Sequence, residues 1–171
     1  MTYAVVVMGV SGCGKSSVGR ALAVKIGYHF VDADDLHPAA NVSKMRAGTP
    51  LTDEDRWPWL AAVEAAIRQR LDRDEGIVMA CSALKRSYRD RLRGAGPTVR
   101  FVHLAAPQAV IEARLTRRKE HFFDPNLLAS QFAALEAPDP SVERDVIVLD
   151  ASAPLGQVVE RAAGAVGPST T

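Results

Sequence analysis

The chain is 171 residues long, 47% hydrophobic and 24% charged, with a formal net charge of +1. That length favours one domain, expected over 1–171, with a full core, and the near-neutral balance argues against nucleic acid or a membrane surface as partner. The only cysteines, Cys13 and Cys81, are too few for a zinc site and read as reduced thiols, while the opening residues carry neither a basic leader nor a membrane-length apolar run, so a cytoplasmic protein is expected.

Residues 3–8 form a β-branched run suited to a buried parallel strand. Gly9-Val10-Ser11-Gly12-Cys13-Gly14-Lys15-Ser16 then fills every position of G-x-x-x-x-G-K-[ST], and Val18, Leu22 and Ile26 follow at helical spacing. Strand, glycine loop and helix together are the context of a phosphate-binding P-loop. The three glycines let the backbone curl around phosphate oxygens. The helix that opens at Lys15, Ser16 and Ser17 aims its N–H groups and positive dipole end at that anion. Lys15 would reach the β- and γ-phosphates of ATP, and the Ser16 hydroxyl would ligate Mg²⁺.

Residues 29–31 read as a second strand, ending in Asp32 and Asp34. Carboxylates at i and i+2 repel unless a cation or hydroxyl compensates them. Asp32 is assigned to the Mg²⁺ shell and Asp34 to the acceptor hydroxyl as orienter and proton acceptor; helix capping is the plainer alternative. From about 35 to 75 no strand candidate appears, and Leu60, Val63, Ile67 and Leu71 repeat at helical spacing, so this stretch is expected to be an inserted helical lobe for the acceptor. Trp57 and Trp59 read as its core rather than as stacking platforms.

Residues 77–81 form a third strand that closes on Cys81-Ser82, where many P-loop proteins place a Walker B aspartate. The metal role therefore falls to Ser16 and Asp32. Lys85 and Arg89 lie four apart on the next expected helix, hence on one face, where they could hold a carboxylate; a solvated basic face is the alternative. Arg86 and Arg93 fall on other faces, toward solvent or phosphate. A fourth strand is read at 99–104 and a fifth at 146–149, with helices marked by Val110, Ile111 and Leu115 and by Leu127, Leu128, Phe132 and Leu135. Between those helices, 117–125 is a basic segment sized for a lid, with a surface basic patch as the alternative. Pro154 opens a last helix, and 164–171 reads as a frayed tail. The alternation implies an α/β fold of the P-loop NTPase kind, three layers deep around a parallel sheet.

Several blocks are more specific than the P-loop. Asp32-Ala33-Asp34-Asp35-Leu36-His37-Pro38, Pro50-Leu51-Thr52-Asp53-Glu54-Asp55-Arg56-Trp57, Cys81-Ser82-Ala83-Leu84-Lys85-Arg86, His121-Phe122-Phe123 and Ser130-Gln131-Phe132 occur in this order. Together they resemble the gluconokinase family of P-loop carbohydrate-acid kinases, over nearly the whole chain. The resemblance implies ATP-dependent phosphorylation of D-gluconate at its 6-hydroxyl, a fold similar to shikimate and nucleoside monophosphate kinases, and a homodimer. It tilts His37 toward a sugar hydroxyl rather than packing on Pro38, and brings Gln131 into the substrate set. By similarity with shikimate kinases Arg56 is a second carboxylate candidate. By similarity with nucleoside monophosphate kinases Arg114 stacks on adenine and the loop ending at Pro154 flanks it. The same similarity implies that Arg117 or Arg118 would touch the phosphates and screen the transferring group, an effect worth about 10³ or more in rate. A kinase for another small acid such as shikimate, or a non-catalytic nucleotide sensor, are the competing expectations.

Overall fold

The computed structural model describes residues 1–118 and 124–166. Strands β1 (Ala4–Met8), β2 (His29–Asp32), β3 (Ile77–Ala80), β4 (Val99–Ala105) and β5 (Val146–Asp150) form one sheet in the order β2-β3-β1-β4-β5. Every pairing is parallel. The helices are α1 (Lys15–Ile26), α2 (Ala39–Arg46), α3 (Asp53–Leu71), α4 (Arg86–Arg93), α5 (Gln108–Arg117), α6 (Pro125–Ala134) and α7 (Leu155–Val166), with a 3-10 turn at Ala33–Leu36.

The hydrophobic pattern explains the layers. All five β1 side chains are buried, and their period-two alternation splits them between the two faces. Ala4, Val6 and Met8 pack with Met79 and Phe101 against Leu60, Val63 and Ile67 of α3 and Leu92 of α4. Val5 and Val7 pack against Leu22 of α1, Ile111 of α5, Leu128 of α6 and Val158 of α7. A strand covered on both sides has no polar face to show, which is why β1 reads as a continuous apolar run. Val6 lies opposite Met79 on one side and Phe101 on the other, so β1 is the sheet's centre.

Local signals set the helix ends. A capping box starts α3: the Thr52 hydroxyl accepts from the Asp55 N–H and the Asp55 carboxylate accepts from the Thr52 N–H. Three acids sit in its first turn and Arg68 and Arg70 in its last, both favourable to the helix dipole. Gly27 ends α1 in the left-handed conformation at φ 74°.

The five expected strands are all present, and α2 and α3 fill the stretch between β2 and β3 where a helical lobe was expected. Two expectations shift. Lys85 is the cap residue before α4 rather than part of it. The last helix runs through Val166, so 164–166 are helical rather than frayed, while 167–171 lie outside the described residues. So do 119–123, the centre of the expected lid, with His121, Phe122 and Phe123. Because the strands run together, Met8, Asp32, Ala80, Ala105 and Asp150 end at one edge, and the loop after β1 opens at its middle.

Candidate active site

At that opening the loop after β1 takes conformations that need glycine. Gly9, Gly12 and Gly14 have φ of 146°, 81° and 97°. A Cβ on Gly9 would come within 2.7 Å of Cys13 Sγ and 3.0 Å of the Leu104 carbonyl, and one on Gly12 within 2.8 Å of the Leu115 side chain. The ring of the loop is thus closed from inside by its own residues and from outside by α5. Gly14 is the cap residue of α1 and offers no side-chain acceptor, and no acid lies in the first turn. The first N–H groups of α1 have no partner within the helix, so the loop is built to receive an anion. Lys15 Nζ donates to the Val10 carbonyl at 2.9 Å, folding the cation over the loop. Burial raises the Cys13 thiol pKa, against the pull of Lys15, so that thiol stays neutral.

The end of β2 supplies the acids. Ser16 Oγ donates to Asp32 Oδ2 at 2.8 Å, joining the P-loop hydroxyl to the strand end across the cleft. Asp32 also accepts from the Asp34 N–H at 3.0 Å, so the capping role weighed for these acids is realised by Asp32 itself, in addition to its contact with Ser16. The Asp34 carboxyl is pushed above its ordinary range, first by the protein crowding it, then by repulsion from Asp32; Lys15 opposes both. A hydroxyl oxygen and a carboxylate oxygen at this separation are hard donors of the kind Mg²⁺ takes while keeping its remaining positions for water and phosphate. They fit that ion. Cys81, just after β3, is fully buried, and burial pushes its thiol up to about 12, so it stays protonated and inert here.

Trp59 fixes this strand end from the lobe. It is buried at 2% exposure, and its Nε1–H donates to the Ala33 carbonyl at 2.7 Å. His37 stacks on the same indole with ring centroids 4.2 Å apart, and its Nδ1 lies 3.2 Å from Asn41 Nδ2. It therefore packs on Trp59 of the lobe. Burial and nearby Arg56 lower its pKa, keeping the ring neutral and suited to hydrogen bonds rather than charge.

A second group of polar residues joins the start of α3 to the start of α4. Tyr88 Oη donates to Asp53 Oδ1, and Lys85 Nζ lies 3.2 Å from the same oxygen. Arg56 donates to the Leu51 carbonyl at 2.8 Å and sits 5.7 Å from the centre of the Tyr88 ring. Tyr88 and Lys85 together hold the Asp53 carboxyl below its usual range. Trp57, 39% exposed, meets the Tyr88 ring edge-on. Arg56 and Lys85, both expected to face a carboxylate, are brought together here.

Arg89 is not. Its side chain is 1% exposed, and all five N–H donors are taken. Two go to the Glu143 carboxylate at 2.8 and 2.9 Å, and the others to the carbonyls of Ala83, Leu84 and Glu136. Its guanidinium braces the loop after β3 from behind instead of gripping a ligand. Arg93, read as facing solvent or phosphate, joins the same network through Glu143 and Asp145. Lys85 and Arg89 do not share a face, because Lys85 precedes the helix and turns toward Asp53.

Gln131 is also placed differently from expectation. Its Oε1 accepts from the Ser11 N–H at 2.7 Å and its Nε2 donates to Ser11 Oγ at 3.0 Å, so both ends of the amide are on the P-loop. On the other flank of the loop a concavity of about 190 Å³ is lined by Gly12, Gly14, Ser17, Arg114 and Arg118, and by Ala153 and Leu155 on either side of Pro154. Arg114 and Arg118 line it while Arg117 does not, although Arg118 caps α5 rather than lying inside it. The geometry at one sheet edge is thus an anion loop with a lysine, an oxygen pair for a divalent cation, a carboxyl of raised pKa and a cationic corner. Asp53, Tyr88 and Glu143 were missed from sequence. For Asp53 the Thr52-x-x-Asp55 capping signal could have placed it in a helix's first turn; Tyr88 and Glu143 have no such marker.

Both the sequence and the fold have known relatives. Residues 5–138 match a protein-family model described as an AAA domain. A gluconokinase of Gluconobacter oxydans (strain 621H) is 50% identical over 133 residues, 78% of this chain and 75% of that protein. The thermoresistant gluconokinase of Escherichia coli (strain K12) is 44% identical over 154 residues, 90% of this chain and 87% of that protein. The crystal structure of a gluconokinase from Sinorhizobium meliloti 1021 superposes with a TM-score of 0.87 at 45% identity, covering 96% of this chain and 91% of that one.

Proposed function

Since the chain belongs to the gluconokinase family of P-loop kinases, we propose that it transfers the γ-phosphoryl group of ATP to the 6-hydroxyl of D-gluconate, giving 6-phospho-D-gluconate and ADP. The observation that carries the reading is the joint between the P-loop and the end of β2, where Ser16 meets Asp32 at 2.8 Å beside the Asp34 carboxyl.

The P-loop amides and Lys15 bind the phosphates, and the Lys15 ammonium leaves the Val10 carbonyl to do so. Ser16 and Asp32 would hold Mg²⁺, which when bound would supply positive charge to offset that of the phosphates. Asp34 accepts the proton of the 6-hydroxyl as its oxygen bonds to the γ-phosphorus and the bond to the β-phosphate oxygen breaks. A carboxyl of raised pKa is a better base for that task than an ordinary one. Arg56 and Lys85 hold the carboxylate end, Arg56 by its planar fork and Lys85 as a point charge. His37, neutral and pinned on Trp59, hydrogen-bonds a sugar hydroxyl. Arg114 lies against the base and Arg118, rather than Arg117, faces the phosphates, in keeping with the lining of the concavity. Residues about 35–75 serve as the substrate lobe of a single kinase domain, and 117–125 as its lid.

Two buried free thiols accord with a reducing, cytoplasmic setting, and a homodimer is proposed by analogy with the family alone. No described helix is long and apolar enough to cross a membrane. The test is incubation with ATP, Mg²⁺ and a panel of sugar acids, read by coupled ADP release and product mass. Gluconate is expected to gain one phosphoryl group. Turnover of shikimate with none of gluconate overturns the substrate, and nucleotide binding without acceptor-dependent ADP release overturns the enzyme.

A further inference from the structure

A short segment at the end of α6 touches both halves of the site. At its start, Gln131 holds Ser11 of the P-loop by two hydrogen bonds, at 2.7 Å to the backbone N–H and 3.0 Å to the hydroxyl. At its end, Glu136 holds the acceptor-side loop three ways. Its N–H donates to the Leu84 carbonyl at 2.8 Å, its carboxylate accepts from the Arg86 N–H at 2.8 Å, and its carbonyl accepts from Arg89 at 2.9 Å. The Arg86 contact supplies the cap that Lys85 lacks, an acid at the start of α4. Between the two ends, Phe132 and Leu135 pack against the core around Leu128, which is 1% exposed, so the segment cannot slide freely.

The two loops that it joins otherwise meet through a single described backbone bond, from the Gly9 N–H to the Ser82 carbonyl at 3.2 Å. Ala83, next to it, sits at φ 44°, a left-handed conformation costly for a residue with a side chain, and persists because its surroundings hold it there. Phosphoryl transfer between two bound substrates depends on the distance and line between them, and small displacements cost large factors in rate.

We infer that Gln131 is a positioning residue for phosphoryl transfer, tying the P-loop tip to the strap that also anchors the loop carrying Lys85, and is not a substrate ligand. The inference rests on the kinase reading above. Its chemistry is specific: the amide offers one acceptor and one donor to a residue that offers one donor N–H and a hydroxyl oxygen, so the loop tip is fixed in both translation and rotation.

The experiment compares Gln131→Ala, Gln131→Met and Ser11→Ala, alone and combined, by steady-state kinetics and by calorimetric titration with ATP. Gln131→Met keeps the side chain's length and packing, so a loss shared by both Gln131 variants belongs to the hydrogen bonds. The expected result is a fall in kcat of about tenfold, the factor for the net loss of one to two hydrogen bonds, with gluconate KM changed less than twofold. ATP affinity falls severalfold in the same variants, and Gln131→Ala has a smaller effect once Ser11 is alanine, as coupled residues require. A raised gluconate KM with kcat intact would return Gln131 to the substrate site and overturn the inference. Wild-type rates and ATP affinity in both Gln131 variants would overturn it too. If the wild type turns over no gluconate, the kinase reading fails, and the calorimetric arm still decides whether Gln131 shapes the P-loop.

Discussion

Replacing Arg89 with alanine separates a brace from a ligand. The substitution removes five hydrogen bonds, strips the buried Glu143 of its main cation and leaves it only Arg93 at 2.8 Å. Breaking a buried ion pair from one side costs about 3–5 kcal/mol. Arg89, with help from Arg93, holds the Glu143 carboxyl down to about 2 against an ordinary 4.5, so proton linkage bounds the ionic share of that loss at about 3 kcal/mol, part of which Arg93 retains. For a chain of this size a loss of about 3–5 kcal/mol lowers Tm by roughly 6–20 °C, while a typical stability of about 5–15 kcal/mol leaves the variant folded in the cold. Urea unfolding followed by circular dichroism measures the loss, and kinetics on the folded variant at low temperature measure the site. The unfolding midpoint is expected to fall sharply with gluconate KM changed by less than about threefold. An unchanged midpoint with a tenfold rise in gluconate KM would refute the reasoning and restore Arg89 to the carboxylate site.

Asp34→Asn is expected to lower kcat by about 10² or more, within the range for losing a general base, with little change in gluconate KM. Because the folded state raises the Asp34 pKa, its ionised form is disfavoured there at neutral pH, so the same variant is expected to melt slightly higher; a lower Tm contradicts this. On the acid side, His103 is buried on β4 and its pKa is lowered to about 4 by burial and then by Arg89. The unfolded chain protonates it from 6.5 downward while the fold does not, so stability present above pH 6.5 is lost progressively toward pH 4, by up to about 3 kcal/mol. Glu143 extends the loss from 4.5 toward 2. Denaturant titrations across pH measure both segments, and a wild type as stable at pH 4.5 as at 6.5 would contradict the assignment of the first.

The sheet was legible because its signals are local. Val5, Val6 and Val7 are buried whichever face they point to, so the run announces a strand by itself. The P-loop was legible for the same reason: its three left-handed glycines, Lys15 and Ser16 lie within eight consecutive positions. What failed depends on partners far along the chain. Arg89 looked free because Glu143 stands 54 residues away, and Gln131 looked like a substrate residue because Ser11 is 120 away. Periodicity also assumed that Lys85 was helical, and one residue of error at a helix start turned its side chain toward Asp53. The Asp32 assignment needed only that a strand end there, and the structure brings Ser16 to it.

The strand order has a consequence for how the molecule is made. β1 pairs only with β3 and β4, and its nearest partner residue, Ile77 opposite Ala4, is some seventy positions further along. At a translation rate of about 5–20 residues per second, the Ala4–Met8 segment waits roughly four to fifteen seconds before a neighbour exists to pair with. During that interval an aliphatic ribbon stands unsheltered on the nascent polypeptide, a natural client for a holding chaperone. Conditions that slow elongation between 9 and 76 would be expected to lower soluble yield without touching a single contact of the finished protein.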